Sequence, residues 1–524
     1  MGRVLMFKFI TAALFMLVVF LAFPAEALAE NRRPLGDMSF FGGISEGVRL
    51  PRTTEQILLD QRPARNQRGT TTLRYSEVVF LNGRAVRFDG TLEITTSGNV
   101  DMTQQAGEFT VTHRVAPSAA TSAEININRN VTFRVTYRVE GSQVIFTYEA
   151  QRNNWSETIT INGTSYVLDS AMSHYGVSII EDRTPGVSYY RGDVSGRLVY
   201  VVNGGTDLVT RDVQGSFHGY RSPWSTTETH RLDAMVTADS WAMHYQIRPS
   251  ITMNKVLQFM RNEPTAISFE GNYREVLQNT SGLRYDIFTM PGFAWDAPTS
   301  GTASIETPNV FEQLPAPDLT FLRGNAAEDD IRRLFSTQIF TGNPLFFRNP
   351  GQAISRGQFV TAVTRAIRLP TEQAGTRLAR GRVQPDTSVF HDVPDTRPEF
   401  PYIMAAYRAG LAVGRANSMF YFDYPIDRQE ALMIMVRALG LTQMGLNPTP
   451  VTPFADDALI APWAKREVSV AHMIGLAVPD ENGFLHPTRQ ISMGEAANIL
   501  NELIEYMRVG LVSDYADQIV NIVR

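Results

Sequence analysis

Between residues 70 and 305, hydrophobic and polar side chains alternate with period two. Val131, Phe133, Val135, Tyr137 and Val139 interleave with Thr132, Arg134, Thr136 and Arg138, as in a strand with one buried and one wet face. Glu140-Gly141 then turns the chain into a second alternating run, Val144, Phe146 and Tyr148. Asn82-Gly83, Asp89-Gly90, Asn162-Gly163 and Asn203-Gly204 stand between β-branched or aromatic runs and offer the positive φ that tight hairpins need. Hairpins in series predict an antiparallel sandwich, meander or barrel and not a βαβ sheet. One stretch inside this region, Met253 to Arg261, reads as a short helix. Thr307-Pro308 through Pro317 is proline-punctuated with little periodicity and reads as a linker; beyond Asp318 the spacing becomes helical.

At 524 residues the chain is too long for one ordinary core, so two or more domains are expected. Arg3 and Lys8 precede an apolar run, Phe9 to Phe23, which Pro24 breaks before Ala27-Leu28-Ala29. The run is short for a bilayer span and fits a cleaved secretory signal over residues 1–29. No later segment is apolar and long enough to cross a membrane as a helix. The formal charge is −5, and about −6 without the signal. The basic residues are nearly all arginine and scattered, so a nucleic-acid footprint is absent. The chain has no cysteine, which excludes disulfides, a lipidated N-terminal cysteine and thiolate metal sites.

In the last 200 residues one phrase recurs: Ile354-Ser355-Arg356-Gly357-Gln358, Ile426-Asp427-Arg428-Gln429-Glu430 and Ile491-Ser492-Met493-Gly494-Glu495, spaced 72 and 65 positions apart. Each phrase opens an apolar helix, follows a loop rich in aromatics and proline (Phe347–Pro350, Phe420–Pro425, Phe484–Pro487), and lies downstream of a helix ending near Gly342, Gly410 or Gly475. Ser or Asp followed three residues later by Gln or Glu is a capping box, which accounts for Ser355 with Gln358, Asp427 with Glu430, and Ser492 with Glu495. It does not account for Arg356 and Arg428. A cation in the first helical turn opposes the helix dipole, whereas arginine beside free N-terminal amides makes an anion pocket.

The whole constellation resembles the S-layer homology domain, whose repeat runs Phe-x-Asp-Val, a Trp-Ala helix, a glycine-bounded turn, a Phe-x-Pro loop and Ile-Thr-Arg-Ala-Glu. Phe390 to Val393, Gly410 to Gly414 and Ile426 to Glu430 match one copy; Phe454 to Asp456, Trp463-Ala464 and Gly475 to Val478 match another. Only Gly342, the Phe347 loop and Ile354 to Gln358 mark a third. The resemblance covers roughly residues 320 to 508. It implies a pseudo-threefold all-α assembly whose grooves bind secondary cell-wall polysaccharide, often through a ketal-linked pyruvate. On that basis Arg356 and Arg428 would clasp the carboxylate, with Ser355 and Asp427 as caps that could meet sugar hydroxyls. Trp463 would offer a face to a sugar ring or lie in the core. Met493 stands where the pattern has arginine, Asp427 where it has threonine, and Pro398 where it has tryptophan, so at most two grooves are expected to be competent.

These readings divide the chain into a signal (1–29), an antiparallel β domain (30–305), a linker (306–319), repeats at 320–370, 386–441 and 450–508, and a tail (509–524). Polysaccharide-binding residues are expected to be Ser355, Arg356, Gln358, Asp427, Arg428, Glu430, Trp463, Ser492 and Glu495. No catalytic residue, metal or cofactor is assigned. Gly43-Ile44-Ser45-Glu46-Gly47 fits a nucleophile-elbow pattern but lacks the strand–turn–helix setting that pattern needs. His113, His174, His218, His230 and His244 are not spaced as metal pairs. The expectation is an exported surface protein held on the wall, with a β domain that is structural or interactive and that contacts other S-layer subunits. A wall-anchored polysaccharide-active enzyme and an outer-membrane barrel are the alternatives.

Overall fold

The period-two runs become long strands because one side of each can be buried completely. In β5 (Ile125–Glu140) Ile125, Ile127, Val131, Phe133, Val135 and Tyr137 are buried, while Asn126, Asn128, Asn130, Arg134, Thr136 and Arg138 face water. The computed structural model describes residues 41–46, 69–98, 105–261, 271–288, 300–369, 371, 388–414 and 418–515. The expected signal segment lies outside them. Asn162 and Asn203, at φ 49° and 47°, precede Gly163 and Gly204 at 84° and 67°, so these dipeptides do make tight turns. Asp89-Gly90 does not: it sits inside β3 (Val86–Ser97), opposite Ser76 and Tyr75, where a side chain on Gly90 would strike Phe88 and the Ala116 carbonyl.

Among the described residues one antiparallel sheet contains fifteen strands. It begins β1 (Ile44–Ser45), β2 (Gly69–Val79), β3, β4 (Ala106–Pro117), β5 and β6 (Gln143–Ile161). The short strands β7 (Thr164–Leu168) and β8 (His174–Arg183) lie end to end between β6 and β9 (Ser188–Val202). β10 (Leu208–Arg221), β11 (Ser225–Ala238), β12 (Ala242–Met260) and β13 (Asn272–Phe288) follow in order. β14 (Ser300–Glu306) and β15 (Val310–Leu314) share the far edge of β13.

Two expectations fail here. Residues 253–260 belong to β12 and pair with β13 throughout, Met253 and Asn254 also with β11, so the expected helix is a strand. Val310–Leu314, inside the stretch read as a linker, is a strand paired with Tyr273–Leu277. Both segments were ambiguous locally and are fixed by partners far away in sequence.

The sheet curls until its first strands meet its last: Ser281 Oγ donates to the Ser45 carbonyl at 2.6 Å and Arg87 Nη2 to the Ser304 carbonyl at 3.0 Å. Phe41 enters the enclosed space, stacks on Tyr175 at 4.5 Å and lies 4.3 Å under the Arg129 guanidinium. Arg129 in turn bridges Glu77 and Glu157, each at 2.8 Å, with all three side chains sealed from solvent. Burial alone would raise the Glu77 carboxyl, but Arg129 outweighs it and holds the group below its ordinary value. The outward face carries paired charges such as Arg134–Glu108 and Arg197–Asp212, the inverse of the apolar band of a lipid-facing barrel.

The helical half comprises α1 (Glu328–Ser336), α2 (Arg356–Ala366), α3 (Phe400–Arg408), α4 (Arg428–Ala438), α5 (Pro462–Met473) and α6 (Met493–Glu505). Helix C-termini leave carbonyls without partners, and the sheet supplies some of those partners. Trp224 Nε1 donates to Ala366 O at 2.8 Å, Gly186 N to Ala438 O at 2.7 Å and Tyr189 Oη to Leu439 O at 3.0 Å; Ser225 Oγ donates to Met507 O, just past α6. Val187, Tyr189, Tyr220 and Trp224 accordingly share one buried cluster with the helices. Gly440, at φ 70°, lets Thr184 approach so closely that a Cβ would lie 2.2 Å from Thr184 Cγ2. At the same junction Lys255 Nζ lies 3.0 Å from Glu275, while Glu275 and Glu312 oppose each other in register and Arg368 lies over Trp224.

Two outcomes follow for stability. Replacing Arg129 by Met strands two buried carboxylates and should cost about 3–5 kcal/mol in denaturant unfolding, most of it regained when Glu77 and Glu157 also become Gln. Lys255 is pushed down to about 7 by burial and by Arg368, against an ordinary 10.5. The unfolded chain therefore binds the extra proton between those values, and stability should rise with pH from about 7 toward 10. Denaturation midpoints across that range should lose this rise in Lys255→Met; parallel profiles for the two proteins would contradict the assignment.

Candidate functional site

The three recurring phrases meet at one place. Ile354 N donates to Ile491 O (3.1 Å), Ile491 N to Ile426 O (3.2 Å) and Ile426 N to Ile354 O (3.3 Å), closing a ring of backbone bonds among three fully buried isoleucines. The first two amides of each helix then donate to a loop of the next segment in the ring. Arg356 N and Gly357 N reach the Tyr424 and Phe422 carbonyls, and Arg428 N and Gln429 N reach Arg489 and Pro487. Met493 N and Gly494 N reach Gln352 and Pro350. The amides expected to be free for an anion are thus already used.

The third amide is satisfied locally. Ser355 Oγ accepts from Gln358 N and Gln358 Oε1 from Ser355 N, and Ser492 with Glu495 repeats the arrangement. Asp427 accepts from Glu430 N at 2.9 Å, but the Glu430 carboxylate turns to Arg356 Nε at 2.7 Å. Asp392 and Asp456, from the Phe-x-Asp segments, clamp the aromatic loops: Asp392 accepts from Phe420 N and Phe422 N, and Asp456 from Leu485 N and His486 N. Partial burial opposes ionisation of Asp392, but four backbone amides prevail and hold its carboxyl below the ordinary value.

The two phrase arginines have different fates. Arg356 is 2% exposed; it pairs with Glu430, donates to the Phe420 and Val413 carbonyls, and covers the Phe420 ring at 4.2 Å. Every face of its guanidinium is occupied by protein. In the same cyclic order Arg428 would pair with Glu495, but Arg489 takes that carboxylate in a two-pronged bond. Arg428 keeps one long contact to the Val478 carbonyl (3.4 Å), its Nε has no hydrogen-bond partner, and it forms no ion pair among the described residues. Burial and the nearby Arg489 lower its pKa. The corresponding position of the third phrase is Met493, buried and uncharged.

Arg428 lines a groove of about 550 Å³ with Ser492 and Glu495 from the start of α6, Asn498 one turn on, and Asn325, Asp330 and Gly351 from the first segment. The expected residues are therefore split. Arg428, Ser492 and Glu495 share this groove. Arg356 and Glu430 form a sealed pair, and Ser355, Gln358 and Asp427 are caps. Trp463 is half-exposed at the second position of α5 and does not line the groove. Asn325, Asp330, Asn498 and the decisive Arg489 carried no local signal, because each matters only through a neighbour contributed by another segment.

The sequence profile of the S-layer homology domain matches residues 389–432, from just before the Asp392 clamp into α4. The chain is 28% identical over 191 residues to an amylopullulanase of Thermoanaerobacterium thermosulfurigenes, 36% of this chain and 10% of that protein. It is 26% identical over 247 residues to exoglucanase XynX of Acetivibrio thermocellus, 46% and 21% of the two chains. It is 27% identical over 182 residues to a surface-layer 125 kDa protein of Lysinibacillus sphaericus, 34% and 14%. The chain thus spans at most 21% of the length of these relatives. It carries an S-layer homology domain, which makes it a secreted surface protein anchored at the cell wall.

Replacing Arg356 by Ala should cost about 3–5 kcal/mol, because buried Glu430 loses its counter-charge. Arg428→Ala should change unfolding free energy by less than about 1 kcal/mol. Equal losses in the two variants, measured by urea titration, would refute the distinction drawn between them.

Proposed function

We propose that residues 320–370, 386–441 and 450–508 are three S-layer homology repeats in pseudo-threefold array, and that they hold the protein non-covalently on a secondary cell-wall polysaccharide. The cyclic bonding of Ile354, Ile426 and Ile491 supports the threefold reading. The observation that carries the binding site is Arg428: a half-buried guanidinium without a carboxylate partner, beside capped hydroxyl and amide groups in a groove. Such a group suits an anionic substituent on a polymer, for which the ketal-linked pyruvate of wall polysaccharides is our candidate. Arg356 has no room for that task, so one charged groove serves.

The helices opened by the phrases turn their C-terminal ends to the sheet, so their phrase ends point away from it. A chain held by the phrase end would display the β domain outward, as a structural module or a surface for other S-layer subunits. A polysaccharide-active β domain is the second reading, prompted by the names of two relatives. Glu77 and Glu157 do not favour it, since both share Arg129 and neither meets solvent. The charged outer face of the sheet speaks against a lipid-embedded barrel, and no helix among the described residues is long and apolar enough to cross a membrane.

The full chain should co-sediment with purified sacculi and lose that binding after hydrofluoric acid removes the secondary polymer. Arg428→Ala should weaken binding about tenfold or more. Binding that survives both treatments would sink the proposal.

A further inference from the structure

A second groove, of about 380 Å³, lies on the outer face of β8, β9 and β10, remote in sequence from the recurring phrases. Two cross-strand rows build it. Ser178, Asp193 and Ser216 stand opposite one another in register, and so do Ile180, Arg191 and His218. Arg191 and Asp193 thus project from one strand two residues apart, flanked by hydroxyls on one row and by an imidazole and an aliphatic chain on the other.

Elsewhere on this sheet the same spacing produces an ion pair. Arg87 and Asp89 approach to 2.9 Å, Arg138 and Glu140 to 2.6 Å, Glu181 and Arg183 to 2.8 Å, and Arg284 and Asp286 to 3.2 Å. Arg191 and Asp193 form no ion pair among the described residues, and the groove lies over them. Burial lowers the pKa of His218, so its imidazole is neutral at pH 7. The floor therefore offers one donor cation and one acceptor anion, with no net charge.

We propose that this groove binds a neutral saccharide. An anion would face Asp193, and a cation would face Arg191. Adjacent sugar hydroxyls, each both donor and acceptor, can give to the carboxylate and accept from the guanidinium at once. Ser178 and Ser216 extend the polar row, and Ile180 provides an apolar contact for ring carbons. The volume lies within the range of about 300–1,000 Å³ typical of small-ligand sites. The groove also adjoins the domain junction: Tyr515, whose hydroxyl donates to Tyr190 O at 3.0 Å, has its ring 5.8 Å from His218. A glycan seated there would run beside the anchoring half, so the β domain would add a second, uncharged contact to the polymer layer. The inference is independent of the Arg428 reading.

The test uses the full chain and isothermal titration with cellohexaose, maltohexaose and chitohexaose, and with glycylglycine as a zwitterionic control. At least one hexasaccharide should bind, with affinity reduced about tenfold or more in Arg191→Ala and in Asp193→Ala. Arg197→Ala, which breaks the Arg197–Asp212 pair on the same face, should leave that affinity unchanged. Chemical shifts of the His218 ring should move on saccharide addition in the parent chain only. No binding of any hexasaccharide, binding that survives both groove variants, or binding of glycylglycine instead would overturn the proposal.

Discussion

A short helix has amides without partners at one end and carbonyls without partners at the other, and three such helices set the terms for the anchoring half of this protein. Their first amides are satisfied by loops from the next segment around a ring, and carbonyls at their far ends accept donors from the sheet. Neither end can be satisfied by the helix itself. The segments therefore depend on one another for folding, and the helical half depends on the β domain for a buried face. Trp224 makes the dependence concrete, since it is buried with its indole nitrogen bonded to the last carbonyl of α2.

This arrangement decides what the phrase arginines can do. A guanidinium at a helix start needs a counter-charge, and the ring provides one by setting each phrase beside the next. Arg356 receives Glu430 and becomes part of the core. Arg428 loses its counterpart because Arg489, two residues before the third phrase, claims Glu495 first. A single side chain in a loop thus converts what would be a second structural pair into an open cation in a groove. In the third phrase Met493 removes the charge, and the equivalent partner in the first phrase, Gln358, is neutral as well.

The β domain meets a different constraint. A sheet that curls upon itself must fill its interior, and this one does so with tyrosines, Phe41 and a carboxylate–arginine–carboxylate bridge. These buried side chains hold the interior together, while the β8–β10 groove lies on the outer face. There oppositely charged residues two apart on a strand pair with each other, as Arg87 with Asp89, Arg138 with Glu140 and Arg284 with Asp286, whereas Arg191 and Asp193 under the β8–β10 groove form no ion pair among the described residues. Both candidate sites in the molecule are thus places where a common pairing rule lapses.

The strands of β5 and β6, the Asn-Gly turns, the Ser355 and Ser492 capping boxes and the threefold phrase were all legible in the sequence. Each is governed by side-chain periodicity or by contacts within four residues, so the chain encodes them locally. Asp89-Gly90 was misread because glycine also serves where a neighbouring ring lies flat on a strand. Residues 253–260 and Val310–Leu314 had no decisive period and became strands only because neighbouring strands offered hydrogen bonds. The sequence by itself determined that Arg356 and Arg428 stand at helix starts. Only the tertiary structure decided that one is sealed and the other open, because a charge is neutralised by whatever lies within a few ångströms in space, and here those neighbours come from other segments of the chain.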